Sequence, residues 1–195
     1  MSQTSQVLTF RPSPSDPNVT LIERTNYDAN YPQAYTTTAL FSISSQKSSK
    51  EVHIYRIGAG NHAIHPTLIS SSKYSSLKSA TEISLAAGQS IKLTSSGAGD
   101  GYKFTCPPLG RMKWKSKTSG ALVLQDENRI QLARYESQSG FKGVTAAKFE
   151  ILVPADAYLL DVIVVTGMAA VKMQGKDKTA LEVAAEVVGG VVGSG

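Results

Sequence analysis

A chain of 195 residues, 41% of them hydrophobic, suits one domain with a real core rather than several. Cys106 is the single cysteine, which excludes an intrachain disulfide. Twenty basic against 15 acidic residues leave a net charge of +5, a mild excess that permits anionic partners such as membrane headgroups or nucleic acid without requiring either; of the two, nucleic acid is not expected.

Residues 1–18 read as a loose lead-in. Met1 to Gln6 is polar and lacks a basic segment followed by an apolar one, so no secretory signal is expected and an intracellular, cytoplasmic location is. Val7–Phe10 has the makings of a first short strand, after which Pro12, Pro14 and Pro17 forbid regular pairing. Val19–Glu23 is the next strand, and Tyr27 to Pro32 is turn-like.

From Ala34 to Glu150 the pattern is β throughout. Tyr35–Ile43 is rich in β-branched and aromatic residues. Glu51–Ile57, Glu82–Leu85, Ser90–Thr94 and Tyr102–Cys106 alternate apolar with polar. Arg111–Lys117, Gly120–Gln125, Arg129–Tyr135 and Ala146–Val153 complete the set, with turn residues at short intervals between them. Ser70–Ser72 and Ser75–Ser76 read as loops. About ten to twelve short strands at this spacing predict a closed antiparallel β-barrel or a sandwich.

The period changes at Pro154. Ala157–Val171 carries one charge, Asp161, and no cluster of turn residues of the kind that separates the strands before it. Its β-branched content also suits a buried strand, but its length is that of about three strands, which predicts a helix over 156–174. Pro154 and Asp156 are fitting start residues, and Lys172 suits the end. A helix apolar all round must be buried all round. A membrane span needs about 20 apolar residues, more than this run has, so no transmembrane segment is expected. The remaining enclosure is the inside of a barrel formed within residues 19–176. Beyond it, residues 177–195 carry a Thr179…Glu182 capping box and a stripe of Leu181, Ala184, Ala185 and Val188. They predict a short amphipathic helix with a Gly-rich tail, and residues 179–192 are a candidate contact for a homo-oligomer.

Many antiparallel strands, a last strand Lys148–Val153 and a buried helix containing Leu160–Met168 resemble the tubby C-terminal-like superfamily, which includes tubby domains and phospholipid scramblases. The resemblance is one of architecture over most of the chain. It implies a barrel around a central helix, and a binding module for phosphoinositide headgroups that works through basic residues on the barrel wall. The cysteine-rich acylation stretch of scramblases is absent.

The local feature that fits such a use is Arg111-Met112-Lys113-Trp114-Lys115-Ser116-Lys117. In a strand, Arg111, Lys113, Lys115 and Lys117 share one face while Met112 and Trp114 face the core. Such a row binds phosphates, or simply remains a solvated face. Other chemistry is weaker. His62 and His65 are too few for a metal site, and no metal or other cofactor is expected. Cys106 reads as a small buried hydrophobe. Gly97–Gly101 lacks the lysine and helix of a phosphate-binding loop and reads as a hairpin turn. No catalytic motif appears. The expected function is therefore a non-enzymatic module for anionic lipid headgroups. Two alternatives are an enzyme built from scattered residues at a barrel mouth, with His53, His62 or His65 as base, and an oligomeric scaffold using its C-terminal helix.

Overall fold

In a computed structural model of the chain, every strand pairs with its neighbours in sequence and the last closes onto the first. The structure describes residues 6–27, 35–46, 51–58, 66–73, 80–86, 88–97, 100–139 and 145–174. Twelve strands follow in order: β1 (Gln6–Pro12), β2 (Val19–Tyr27), β3 (Tyr35–Gln46), β4 (Glu51–Arg56), β5 (Thr67–Lys73), β6 (Ala80–Leu85), β7 (Ser90–Ser95), β8 (Tyr102–Cys106), β9 (Gly110–Ser116), β10 (Leu122–Asp126), β11 (Gln131–Ser139) and β12 (Thr145–Ile151). All pairs are antiparallel, and Leu8 opposite Phe149 marks the β1–β12 seam that closes the barrel. An even number of strands lets an up-and-down barrel close with that seam antiparallel.

Two strands depart from the sequence expectation. β1 is a full stave of the barrel, which therefore begins at Gln6 and not at Val19. Pro12 is tolerated because it is the strand's last residue, and the three prolines fall at or after that end. Ser70–Ser72 is not a loop but the middle of β5, with Ser70 and Ser72 buried on the inner face. Their small size has a use: β5 is one of the strands that the central helix approaches most closely.

That helix is α1 (Ala157–Met173). Residues 162–171 are all buried, a run that covers every direction around the axis. At 1.5 Å per residue its 17 residues extend about 25 Å. Asp156 caps its start, its side chain accepting a hydrogen bond from Leu159 N–H at 2.7 Å. At the other end the Gln174 side chain donates to Ser116 Oγ at the end of β9. Among the described residues no helix is long and apolar enough to cross a membrane. Residues 177–195, with the amphipathic helix read from their sequence, lie outside the described residues.

Further contacts fix α1 against the wall. Inside, the Trp114 indole N–H donates to Thr166 Oγ1 at 3.0 Å, and the Thr166 hydroxyl donates to Val162 O at 2.6 Å. Both polar groups are thus satisfied in the buried interior. One residue on, Gly167 lets the helix backbone meet the rings of Phe149 and Trp114. At the mouth where α1 begins, Arg56 on β4 donates to Ala157 O at 2.8 Å and to Asp161 Oδ1, while its guanidinium lies 5.1 Å from the centre of the Phe41 ring. Burial pushes the Asp161 carboxyl above its ordinary pKa, and the hydrogen bond and charge of Arg56 pull it back. Beside it the Tyr158 hydroxyl donates to Pro107 O at 2.6 Å and lies 3.2 Å from Cys106 Sγ. The Cys106 hydrogen bond, followed by burial and the Cys106 charge, pushes the phenol up to about 12.

These contacts set two expectations. A Cβ at position 167 would lie 2.6 Å from Phe149 Cε1 and 3.0 Å from Trp114 Cζ2. Gly167→Ala gains about 1 kcal/mol in helix propensity, but overpacking against two enclosed rings costs about 1–3. The variant is expected to melt lower than the parent, and an unchanged or higher Tm in a thermal scan would place the rings elsewhere. Arg56→Met leaves Asp161 charged without its partner. It is expected to cost about 2–3 kcal/mol, less than the 3–5 of a fully buried pair, because both side chains keep some exposure. The raised Asp161 pKa makes the native state bind the proton more tightly than the unfolded chain does. Without Arg56 the Asp161 pKa rises further, so the deficit is expected to shrink as pH falls through the variant's higher pKa towards the parent's, and to stay constant below that. Denaturant titrations at several pH values read this directly, and Arg56→Met/Asp161→Leu is expected to recover most of the loss.

Candidate functional site

The sequence-predicted basic row lies on the β8–β9 hairpin, and the register shows how it is built. Tyr102 pairs with Trp114, Lys103 with Lys113, Phe104 with Met112, and Thr105 with Arg111. Tyr102, Phe104, Cys106, Met112 and Trp114 are buried, so the residues between them face outward. Arg111, Lys113 and Lys115 thus share the outer face of β9, as the alternation requires. Lys117 does not lie in the strand. β9 ends at Ser116, and Lys117 opens the turn Lys117–Gly120, in which Gly120 N–H donates to Lys117 O at 2.8 Å and Gly120 has φ +86°. It remains exposed at the end of the row.

β8 contributes a further cation. Lys103 stands directly across from Lys113, and like charges directly opposed on one face of a sheet repel. The structure relieves that repulsion once. Asp100, in the β7–β8 turn, accepts a hydrogen bond from Lys113 Nζ. This bond and the charge of Lys113 hold the Asp100 carboxyl below its ordinary pKa, with a smaller contribution from the charge of Lys115. Among the described residues, Lys103, Arg111, Lys115 and Lys117 form no ion pair. The strands on either side add no charge opposite them: Thr94 faces Lys103, Gln125 faces Lys113 and Val123 faces Lys115. One strand further, Arg134 does not extend the patch, because Glu136 and Glu150 lie 3.6 and 3.8 Å from it. Arg129, another cation of the neighbouring sequence, sits in the β10–β11 turn with φ +66°.

The turn that places Asp100 depends on one glycine. Gly101 has φ +112°, and a Cβ there would fall 1.9 Å from Trp114 O. The hairpin can therefore close only with no side chain at 101. Gly97, at the other side of the same turn, has φ +89° and open space around it.

The remaining residues singled out in the sequence do not converge on this face. His53 is on the outer face of β4, with Nε2 3.8 Å from Glu51 and its ring 6.5 Å from that of Tyr55. His62 and His65 lie outside the described residues. Cys106 is buried. Among the described residues no three His, Cys, Asp or Glu side chains stand close enough to hold a metal ion. Comparisons with known proteins yield no match to a family model, to a curated protein or to a solved structure.

Substituting the two glycines separates the two effects. Gly97→Ala carries backbone strain alone, expected at about 1 kcal/mol. Gly101→Ala adds a collision with main-chain atoms and is expected to cost about 3 kcal/mol or more. At about 2–4 °C per kcal/mol for a chain of this size, the two variants should differ by several degrees in Tm; equal values would show that β7–β8 does not approach Trp114 O.

Proposed function

We propose that the chain is a non-enzymatic binding module, of the kind that the tubby-like resemblance implies, and that its ligands are anionic lipid headgroups held at the outer face of β8–β9. The observation that carries the reading is the juxtaposition of Lys103 and Lys113 between Arg111 and Lys115, with Asp100 as the one carboxylate among the described residues that meets them. A closed barrel with a helix along its axis supports the resemblance. A row of phosphates would relieve the repulsion that Asp100 leaves.

The magnitudes make this a weak, peripheral contact. Each cation near an anionic surface contributes about 1 kcal/mol. Lys113 is already engaged, so the four residues Lys103, Arg111, Lys115 and Lys117 supply roughly 4 kcal/mol, which corresponds to about millimolar affinity. Binding of useful strength then requires a surface that presents many headgroups at once. No chemistry beyond Coulomb attraction and hydrogen bonding is called for.

The test is sedimentation with vesicles. The protein is expected to pellet with vesicles containing a phosphoinositide or phosphatidylserine and not with phosphatidylcholine alone. Pelleting should fall steeply as ionic strength rises from about 0.01 M, where charges act over about 30 Å, to about 0.15 M, where they act over about 8 Å. K103S/R111S/K115S/K117S should lose it with Tm unchanged or slightly raised, since the variant also loses the repulsion opposite Lys113. A parent protein that ignores anionic vesicles at low salt, or a folded variant that still pellets, would leave the row a solvated face.

A further inference from the structure

Two arginines point into the barrel near the mouth where α1 begins, and among the described residues only one of them is matched. Arg56 is held by Asp161 and Ala157 O. Arg24 lies directly opposite Leu8 on β1, a core residue with no exposure, and opposite Thr38 on β3. Directly paired residues share a face of the sheet, so Arg24 is an inner-face residue. Gln6 is opposite Ile151, another core residue, and lies two positions from Leu8. It is therefore the inner-face diagonal neighbour of Arg24. Arg24 Nε and Gln6 Nε2 are both shut off from solvent, and neither has a hydrogen-bond partner. Two adjacent donors without an acceptor are a costly arrangement for an interior that otherwise satisfies its polar groups.

No nearby carboxylate compensates Arg24 among the described residues. Asp161 is taken by Arg56. Asp126 shares the inner register through Met112, but it stands on β10, three strands from β1, and its carboxylate accepts from Ile130 N–H. Glu23 adjoins Arg24 in sequence, yet it faces outward and grips Arg11 through two hydrogen bonds of 2.6 and 3.0 Å. The helix runs closest to β5, β6, β7 and β10, strands other than those that carry Arg24 and Gln6. A neutral acceptor would satisfy the N–H groups and leave the guanidinium charge unmatched. An oxyanion does both.

We propose that Arg24 and Gln6 form a binding site for a single oxyanion group, a phosphate or a carboxylate, inside the mouth of the barrel. The site is independent of the outer face of β8–β9. Arg24 supplies the charge and one fixed N–H, and Gln6 supplies a second N–H from the neighbouring strand, so two oxygens of one group are met from two directions.

The experiment is a titration of the 15N-labelled protein with inorganic phosphate and, separately, with acetate, at constant ionic strength maintained with chloride. The Arg24 Nε–H and Gln6 side-chain amide resonances report binding. Both are expected to shift and to saturate together with at least one of the two anions. A response to phosphate alone assigns a phosphate group, and a response to acetate alone assigns a carboxylate. Arg24→Met and, separately, Gln6→Leu should each weaken the saturating response, Arg24→Met at least tenfold, while K103S/R111S/K115S/K117S keeps it. That last variant separates this site from the vesicle-binding face. Absence of a saturable shift with either anion overturns the proposal, as does a response that survives both single variants or one that disappears with the outer-face variant. An Arg24→Met protein that melts higher than the parent in both phosphate and chloride overturns it too, since Arg24 would then be only an unsatisfied residue.

Discussion

The width of the barrel governs everything else in this molecule. A ring of about eight strands can be filled by side chains alone, and diameter grows with strand number. Twelve strands enclose a space that side chains from the wall cannot reach across. Only a segment that satisfies its own backbone hydrogen bonds can occupy such a space without water, and an α-helix about 10–12 Å across is that segment. From this follow the apolar run of residues 162–171, the small Gly167 and Ala169, the inward serines of β5, and the pairing of the inward Trp114 N–H with the Thr166 hydroxyl. Of the charges inside, Arg56 and Asp161 stand at the mouth and neutralise one another there.

How much of this was legible in the sequence depends on the physical signal each element emits. The helix was legible because it is apolar in every direction for longer than a strand can be, and α1 (Ala157–Met173) falls within the expected 156–174. β8 and β9 were legible because the barrel wall has one wet face and one dry face, which writes a period of two into Tyr102–Cys106 and Arg111–Ser116. β5 was not, because Ser70 and Ser72 occupy core positions for their size, and a serine run carries no hydrophobic alternation. Lys117 was misplaced in the strand because alternation continues one residue past the point where Thr118, Ser119 and Gly120 make the turn.

The candidate sites divide in the same way. Arg111, Lys113 and Lys115 follow from the sequence alone, since a single strand determines which side chains share a face. The opposition of Lys103 to Lys113 follows only from register, a relation between strands that no single segment encodes. Arg24 is harder still. Val19–Arg24 has apolar residues on both faces, with Val19 and Leu21 on one and Ile22 on the other, so its alternation does not say which way Arg24 points. The pairing with Leu8 decides it.

The meander has a kinetic side as well. Eleven of the twelve strand pairings join consecutive strands, while the seam joins residues 6–9 to residues 148–151. Loop-closure entropy rises only slowly with length, but it must be overcome before any long-range contact rewards it. Here nearly all of that cost is concentrated in one event. The segment that fills the barrel follows the last stave in the chain, so during synthesis the staves emerge before their core does. Until α1 arrives, the sheet has an apolar inner face and two open edges, β1 and β12. The interval between the synthesis of β12 and the docking of the helix is when this chain is most exposed to pairing with another copy of itself.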